Sequence, residues 1–233
     1  MYASTTVEVE LDARGRSVVT AMHCEVPLLV RVDGASEVLT LLLLGGAAGP
    51  LGGDDLALTL IVGPGTDVVV RSVAAMLAQP GSSGAASSLR TVVCVGEGAR
   101  LDWETQPMIS VVGSDHRSTT LLEVAGGARV RWSEAVLLGR HEERSGLLAL
   151  HQRVVLGGGV ILDHELVLGE GAPSGAGANG DVRWMRSEVV IGPQAATMPS
   201  AEVTRTRVAG VFPLGDGAAL ATSAGSVAKD LAG

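Results

Sequence analysis

Two adjacent carboxylates, Asp54 and Asp55, stand where a turn could hold them at a fixed point of the fold. They follow a glycine-rich segment that ends in Gly52 and Gly53, and they precede an alternating apolar segment, residues 56–62. Glycine permits positive φ and close backbone approach, so the two glycines predict a structural turn that places the carboxylates beside a strand. A phosphate site is excluded, because the segment lacks the lysine and Ser/Thr of a P-loop and leads into a strand. The alternative is a tight hairpin connection with solvated carboxylates.

Glu134 is a second candidate, because strand alternation places it on the same face as Val130 and Trp132. An unpaired charge is costly to bury, so an inward Glu134 should be paired, face a metal or line a wet cavity. Arg140 is close enough in sequence to serve as its ion-pair partner. The alternative is that the strand ends at Ser133 and Glu134 points to water.

The histidines show no recognised zinc-protease spacing. Two short segments, residues 23–25 and 163–165, put a histidine beside carboxylates, and the first also contains Cys24. Such donors could hold nickel or zinc if the fold brought them together, but neighbouring residues on a strand point to opposite faces. Neither segment therefore predicts a local metal site.

Signs of catalysis are missing from the sequence. It contains no G-x-S-x-G nucleophile motif, and no cysteine–histidine pairing can be identified. Carboxylate pairs for glycoside hydrolysis are available, as in any acidic chain, but only five residues are aromatic, which leaves little surface for sugar stacking. We therefore predict that the protein is not an enzyme.

Composition narrows the class of partner and compartment. The formal charge of −8 argues against nucleic-acid binding, which needs a basic face. The two cysteines, Cys24 and Cys94, lie far apart, which argues against a disulfide framework and predicts buried reduced thiols. The longest apolar run is too short to span a bilayer and the first ten residues do not resemble a signal peptide. We expect a soluble cytoplasmic protein without membrane contact.

The elements that must position these residues repeat along the chain. A strand, glycine turn, strand pattern starts at Val62, Val95 and Val124, and a fainter fourth copy covers residues 155–165. A period of roughly 30 residues is typical of stacked supersecondary units that share a continuous core. Alternation with period two dominates each copy, which predicts β-strands.

The predicted fold is therefore all-β with a few short helices, built as stacked β-layers like a β-helix or solenoid. The helical candidates are residues 73–79 and 217–232, the second within an alanine-rich segment, 216–233. Loops rich in small residues near 81–88 and 171–180 are predicted to be mobile. No linker divides the chain, so residues 1–233 are expected to form one domain.

The order of several short motifs resembles the urease accessory protein family UreD, also called UreH, in its actinobacterial form. The resemblance is clearest over about residues 17–170. Its motifs are Pro27-Leu28, Gly52-Gly53-Asp54-Asp55-Leu56, Gly98-Ala99-Arg100-Leu101-Asp102-Trp103, Gln106-Pro107-Met108-Ile109, and Glu134 with Gly139-Arg140.

The resemblance implies a non-enzymatic factor that helps to mature a nickel enzyme. Members of this family bind apo-urease and the helical protein UreF, which recruits the nickel-carrying GTPase UreG. Nickel is thought to pass through an internal, water-filled path toward the urease active site, so no tightly bound cofactor is expected. Asp54 matches the family's Gly-Gly-Asp position and Glu134 its acidic residue before Gly-Arg, which makes both candidates for metal transit.

Two departures from the family pattern leave the interface contacts open. Residues 72–80 replace a stretch that contains Thr and Lys in many members, and Glu104 replaces a residue that is usually apolar. The rival functions are a β-solenoid scaffold for another metallocofactor, of the iron-sulfur assembly type, and a carbohydrate-active β-helix enzyme. Co-purifying partners would separate the first rival, and polysaccharide hydrolysis by the purified chain would identify the second.

Overall fold

The chain folds almost entirely into β-strands that alternate between two sheets. The computed structural model describes residues 1–173, 182–198, 202–204, 207–215 and 217–226. The first sheet contains β1 (Tyr2–Leu11), β2 (Ser17–His23), β5 (Asp55–Val62), β8 (Ser87–Val95), β11 (Asp115–Val124), β13 (Leu147–Leu156) and β14 (Gly159–Gly169). The second contains β3 (Leu28–Asp33), β4 (Leu39–Gly45), β6 (Asp67–Ser72), β9 (Arg100–Glu104), β12 (Arg129–Leu138), β15 (Trp184–Ile191), β16 (Glu202–Val203), β17 (Arg207–Gly215) and β18 (Ala218–Gly225).

Successive coils of the chain stack in parallel, so the molecule is a β-solenoid of about four turns. In the first sheet β1, β5, β8, β11 and β13 pair in parallel, and in the second β4, β6, β9 and β12 do so. Two short strands, β7 (Met76–Ala78) and β10 (Met108–Ser110), form a third side and pair in parallel with each other and with the end of β12. The predicted stacked β-layers are confirmed.

Antiparallel strands close both ends of the stack. At one end β2 pairs with β1 and β3 with β4, and at the other β14 pairs with β13 and β15 with β12. The last strands, β15, β18, β17 and β16, continue the second sheet as an antiparallel meander.

The sequence repeat marks the corner between the two sheets. Val62, Val95 and Val124 are Cα partners across three neighbouring strands, as a stacked repeat requires. The third residue after each of them is a glycine with positive φ, which a side chain would strain: Gly65, Gly98 and Gly127.

The fourth copy, residues 155–165, was predicted to be another layer of the stack, and this prediction is wrong. Val124 pairs with Leu156, one residue beyond the expected position. The chain then turns through Gly157 and Gly158 into an antiparallel hairpin of β13 and β14, which caps the first sheet. Local strand and turn chemistry is the same in both cases, so the sequence pattern could not distinguish a cap from a coil.

Both helical candidates were also wrong. Residues 76–78 of the first candidate form β7, because they pair with β10. Residues 218–225 of the second form β18 between two strands of the second sheet, so tertiary pairing overrides the helix propensity of alanine. The rest of that candidate, beyond residue 226, lies outside the described residues. In the described part of the chain the one helix is a 3₁₀ turn, Pro193–Thr197.

The core between the sheets is built mainly from valine and leucine, with the two buried tryptophans of the repeats at its centre. Trp103 and Trp132 are register partners and their rings stack at 4.2 Å with an interplanar angle of 17°. Leu101 and Val130 are also buried, whereas Arg100 and Arg129 are exposed. The predicted inward and outward faces of β9 and β12 are therefore confirmed.

Candidate functional site

A cavity of about 470 Å³ lies between the two sheets, on the side of the short strands β7 and β10. Its wall is mostly apolar and runs along the stack, from Leu28 in β3 at one end to His164 in β14 at the other. Among the described residues that line it, Glu134 is the one carboxylate.

Glu134 points into this cavity from β12, as alternation from Val130 and Trp132 predicts. Its Oε1 accepts a hydrogen bond from the Thr120 hydroxyl at 3.0 Å. The residue retains some accessible surface, but that surface faces the cavity, because protein surrounds the carboxylate. Burial raises the pKa of Glu134 above its ordinary value, and the contacts with the side chains of Trp132 and Thr120 offset this only in part. Of the expected alternatives, the structure favours a Glu134 that lines a cavity.

A row of polar side chains crosses the inner face of the first sheet beside Glu134. Thr91, Thr120, Gln152 and His164 are successive register partners in β8, β11, β13 and β14. All four line the cavity, and the first three are buried. Such a row is unusual in a solenoid interior, where inward positions are normally apolar.

Two members of this polar region have unsatisfied hydrogen-bonding atoms. Among the described residues, neither amide atom of Gln152 has a partner, and the Oγ of Ser187 has none. Ser187 is the register partner of Glu134 in β15, and Gln152 is that of Thr120. Buried polar atoms are normally satisfied, so the polar chamber formed by Thr120, Glu134, Gln152 and Ser187 is suited to water or a polar ligand.

Asp54 has a different setting. It is buried at the start of β5, where its Oδ2 accepts the backbone N–H of Leu51 at 2.9 Å and its Oδ1 lies 3.0 Å from the amino nitrogen of Met1. It is not among the residues that line the cavity, although Gly49 and Pro50, at the other end of the same loop, are. The structure therefore does not bring Asp54 and Glu134 together in one site.

Gly52 and Gly53 form the predicted structural turn. A Cβ on Gly52 would lie 2.5 Å from the backbone nitrogen of Gly81 in the next coil, and Gly53 has a φ of +92°. The hairpin alternative for this segment was wrong, because the turn carries the chain from β4 in the second sheet to β5 in the first. Mobility of residues 81–88 stays a prediction, and most of the 171–180 loop, residues 174–180, lies outside the described residues.

Arg140 is not the partner of Glu134, which corrects the predicted ion pair. Its guanidinium instead binds Glu143, with Nη2 2.8 Å from Oε1 and Nε 2.9 Å from Oε2. This exposed fork lies in the loop after β12, and β12 itself continues to Leu138, which keeps Glu134 inside.

The remaining metal-ligand candidates stay dispersed. Among the described residues, no group of three His, Cys, Asp or Glu side chains is arranged to hold a metal ion. His23 contacts Glu25 at 3.4 Å on the surface, and His151 contacts Asp163 at 2.8 Å. Both cysteines are free, as predicted, but each is half-buried rather than buried.

Sequence reasoning missed Thr120, Gln152 and Ser187. The repeat contained a signal for the first two, because Thr91 and Thr120 each stand four residues before the corner valine of their coil, and Gln152 stands four before Leu156. Ser187 lies in the antiparallel meander outside the repeat, so only the fold reveals it.

Comparisons with known proteins give the family of this chain. A family model described as "UreD urease accessory protein" matches residues 3–232. The chain belongs to the UreD family. The resemblance inferred from motif order is thereby confirmed.

Curated relatives with the name "Urease accessory protein UreD" come from actinobacteria. One from Parafrankia sp. is 42% identical over 65% of this chain. Others are 35% identical over 82% in Frankia alni and 36% identical over 95% in Streptomyces coelicolor. The chain spans 52%, 68% and 89% of these three relatives' own lengths.

In this UreD-family chain, the chamber chemistry suits weak binding of a divalent cation. One carboxylate and several neutral oxygen donors attract such an ion without enclosing it.

In the described part of the chain, no helix has the length and apolar character needed to cross a membrane.

Proposed function

We propose that the protein is a non-enzymatic urease maturation factor that guides nickel through its internal cavity toward the urease active site. In this role it docks UreF and UreG on apo-urease, and the partner UreG hydrolyses GTP. The UreD family match supports the urease maturation role. The partners and the nickel transfer are proposals, and the cytoplasmic location stays a prediction.

The observation that carries the nickel proposal is the position of Glu134. A carboxylate that faces a cavity with only neutral protein partners destabilises the fold when it is charged, because burial disfavours the charge. A passing divalent cation would remove that cost, since it favours the charged form. The unsatisfied Gln152 and Ser187 add oxygen donors beside it.

The dispersed donors favour passage over storage. A closed set of cysteine and histidine ligands would retain nickel, whereas one carboxylate with neutral oxygens and water releases it readily. The polar row from Thr91 to His164 extends the oxygen and nitrogen donors across four strands, so an ion could exchange ligands stepwise along the stack.

Asp54 remains a proposed transit residue, and its contacts suggest how it would act. By holding the Leu51 N–H it fixes the loop whose residues Gly49 and Pro50 form part of the cavity wall. Asp54→Ala should therefore release this loop, change the shape of the cavity wall and so reduce nickel delivery.

The test is co-expression of urease and its accessory proteins with Glu134→Gln, Glu134→Ala or Asp54→Ala in this chain. We expect nickel content and urease activity to fall about tenfold with either Glu134 variant, the scale seen when one group near a metal is removed. The variants should stay folded and still co-purify with urease and UreF. The matched control is Glu123→Gln, on the outer face of the first sheet, which should change neither quantity.

Full activation by both Glu134 variants would contradict passage beside Glu134. If the unsubstituted chain does not co-purify with urease, the maturation role itself is contradicted.

A further inference from the structure

Three of the six methionines line the cavity and form a row beside the polar chamber. Met76 in β7 is the register partner of Met108 in β10. Met108 pairs with Val136 in β12, and Val136 pairs with Met185 in β15. We call Met76, Met108 and Met185 the thioether row.

The members of this row are close enough to act together. Cα partners on adjacent strands lie about 4.8 Å apart, so the flexible side chains of Met76 and Met108 can bring their sulfur atoms to a common point. Both pack against the buried cluster that Ala3, Leu56 and Leu89 form. Met108 and Met185 also share the apolar cluster around Val136, which places Met108 between the other two.

The thioether row runs alongside the oxygen donors. Met185 stands two residues before Ser187 on β15, and Val136 stands two residues after Glu134 on β12. Positions two apart on a strand share a face, so both rows open into the same cavity. One cavity thus presents oxygen donors along one line and sulfur donors along the next.

The two rows select different ions. Carboxylate and hydroxyl oxygens favour hard or borderline divalent cations, whereas thioethers favour soft monovalent cations such as Cu(I). We propose that the thioether row is a binding site for Cu(I), with Met76 and Met108 as its principal ligands and Met185 as the third.

This site does not depend on the proposed nickel role, because it concerns binding by the chain itself. If nickel does pass Glu134, a Cu(I) ion held one row away would narrow its path. Divalent cations could then pass through the cavity when the thioether row is empty, and bound Cu(I) would obstruct them.

The experiment uses Ag(I) as a redox-stable probe for Cu(I) and follows the ¹³C-labelled methionine methyl groups by NMR. The full chain carries Cys24→Ser and Cys94→Ser, so that the free thiols do not bind the probe first. We expect the methyl signals of Met76, Met108 and Met185 to shift together at low Ag(I). The exposed Met22 should not shift in that range.

Two leucine variants separate a site from general affinity for methionine. Met108→Leu preserves the apolar wall and should weaken Ag(I) binding at least about tenfold, because loss even of a group that supports a metal ligand has an effect of about that size. Met22→Leu, the matched control, should leave it unchanged. In a competition assay with a chromogenic chelator, the affinities of the two variants for Cu(I) should follow the same order as their affinities for Ag(I).

The proposal is overturned if Met22 shifts at the same Ag(I) concentration as the row. It is also overturned if Met108→Leu, with methyl signals that show an intact fold, binds Ag(I) or Cu(I) as tightly as the parent chain.

Discussion

The two faces of the solenoid treat charge in opposite ways. On the outer face of the second sheet, arginines and carboxylates from four neighbouring strands form one paired network: Arg71, Asp102, Glu104, Arg131, Arg186 and Glu188. On the inner side, Glu134 in the cavity and His116 in the packed interior each have a neutral hydroxyl as partner, and among the described residues neither has an ion pair.

Arg131 shows what the outer face achieves. Its Nη1 lies 2.9 Å from Glu104 and 3.3 Å from Asp102, and its Nε lies 3.2 Å from Glu188. Partial burial acts to lower the pKa of Arg131, but the hydrogen bonds with Glu104 and Glu188 raise it overall. Ion pairs between Arg131 and carboxylates on adjacent strands thus stabilise the stacking of successive layers.

In the inner groups the charged form is disfavoured, because burial removes solvation and supplies no ion-pair partner. The outer network is therefore structural, whereas Glu134, a cavity-lining carboxylate with no ion pair among the described residues, is the better functional candidate. Each of the following predictions tests whether the two faces respond to pH, salt and substitution as this contrast requires.

The largest expected effect is acid destabilisation through His116. Its Nδ1 lies 2.8 Å from the Ser87 hydroxyl, and among the described residues its Nε2 has no partner. Burial lowers the pKa of His116 from 6.5 to about 4, so the unfolded chain binds the proton more readily. The contribution of neutral His116 to the free energy of unfolding is therefore complete above pH 6.5. We expect that free energy to fall by about 3 kcal/mol as pH drops to about 4.

Urea denaturation at pH 7 and pH 4.5 measures this effect. The double variant Ser87→Ala/His116→Leu removes both polar partners, so its stability should change less with pH than that of the parent. His141→Asn is the control, because His141 is exposed. An equal pH dependence in the parent and the double variant would show that His116 is not the cause.

A smaller effect is expected when the outer network is broken at its centre. Arg131→Ala leaves Asp102, Glu104 and Glu188 with less compensation. About a third of the Arg131 side chain is exposed, so solvent screening limits the expected loss of unfolding free energy to about 2 kcal/mol. The loss should shrink in 1 M salt.

Thermal and urea unfolding of Arg131→Ala should be compared with Arg140→Ala, which removes an exposed pair within one loop. We expect Arg140→Ala to change the melting temperature little. If the two variants behave alike, the outer network does not hold the coils together.

Sequence alone could predict the stacked β-layers because their chemistry is local and repeated. Gly65, Gly98 and Gly127 mark the same corner, and alternation from Leu101 to Trp103 gives the inward face directly. The prediction for β14 was wrong because its local pattern matches that of a coil, while its pairing direction depends on a distant strand. The prediction for β18 was wrong because pairing with two other strands overrides the helix propensity of alanine.

The site was predictable only in part for the same reason. Alternation correctly predicted that Glu134 points inward. Its partner depends on how the two sheets face each other, so the structure gives Thr120 where the sequence suggested Arg140. Glu104, which departs from the family pattern, is explained by the fold, since it receives hydrogen bonds from Arg131 and Arg186.

The smallest expected effect concerns Glu134 itself and has the opposite sign from that of Arg131. Burial raises the pKa of Glu134 above 4.5, so the folded chain holds the proton more tightly than the unfolded chain does. Its contribution to stability is therefore present below pH 4.5 and is lost as pH rises through the raised value. Gln keeps the acceptor for Thr120 without the charge, so Glu134→Gln should match the parent near pH 4.5.

At pH 8 we expect Glu134→Gln to be more stable than the parent by about 1 kcal/mol, the scale of an uncompensated polar group in a partly wet site. Urea unfolding of both chains across this pH range measures the difference. A variant that loses stability at pH 8 would mean that the carboxylate is stabilised in the fold, as the outer charges are. A gain in stability joined to a loss of nickel delivery would show that the chain retains Glu134 for transport at the expense of its own stability.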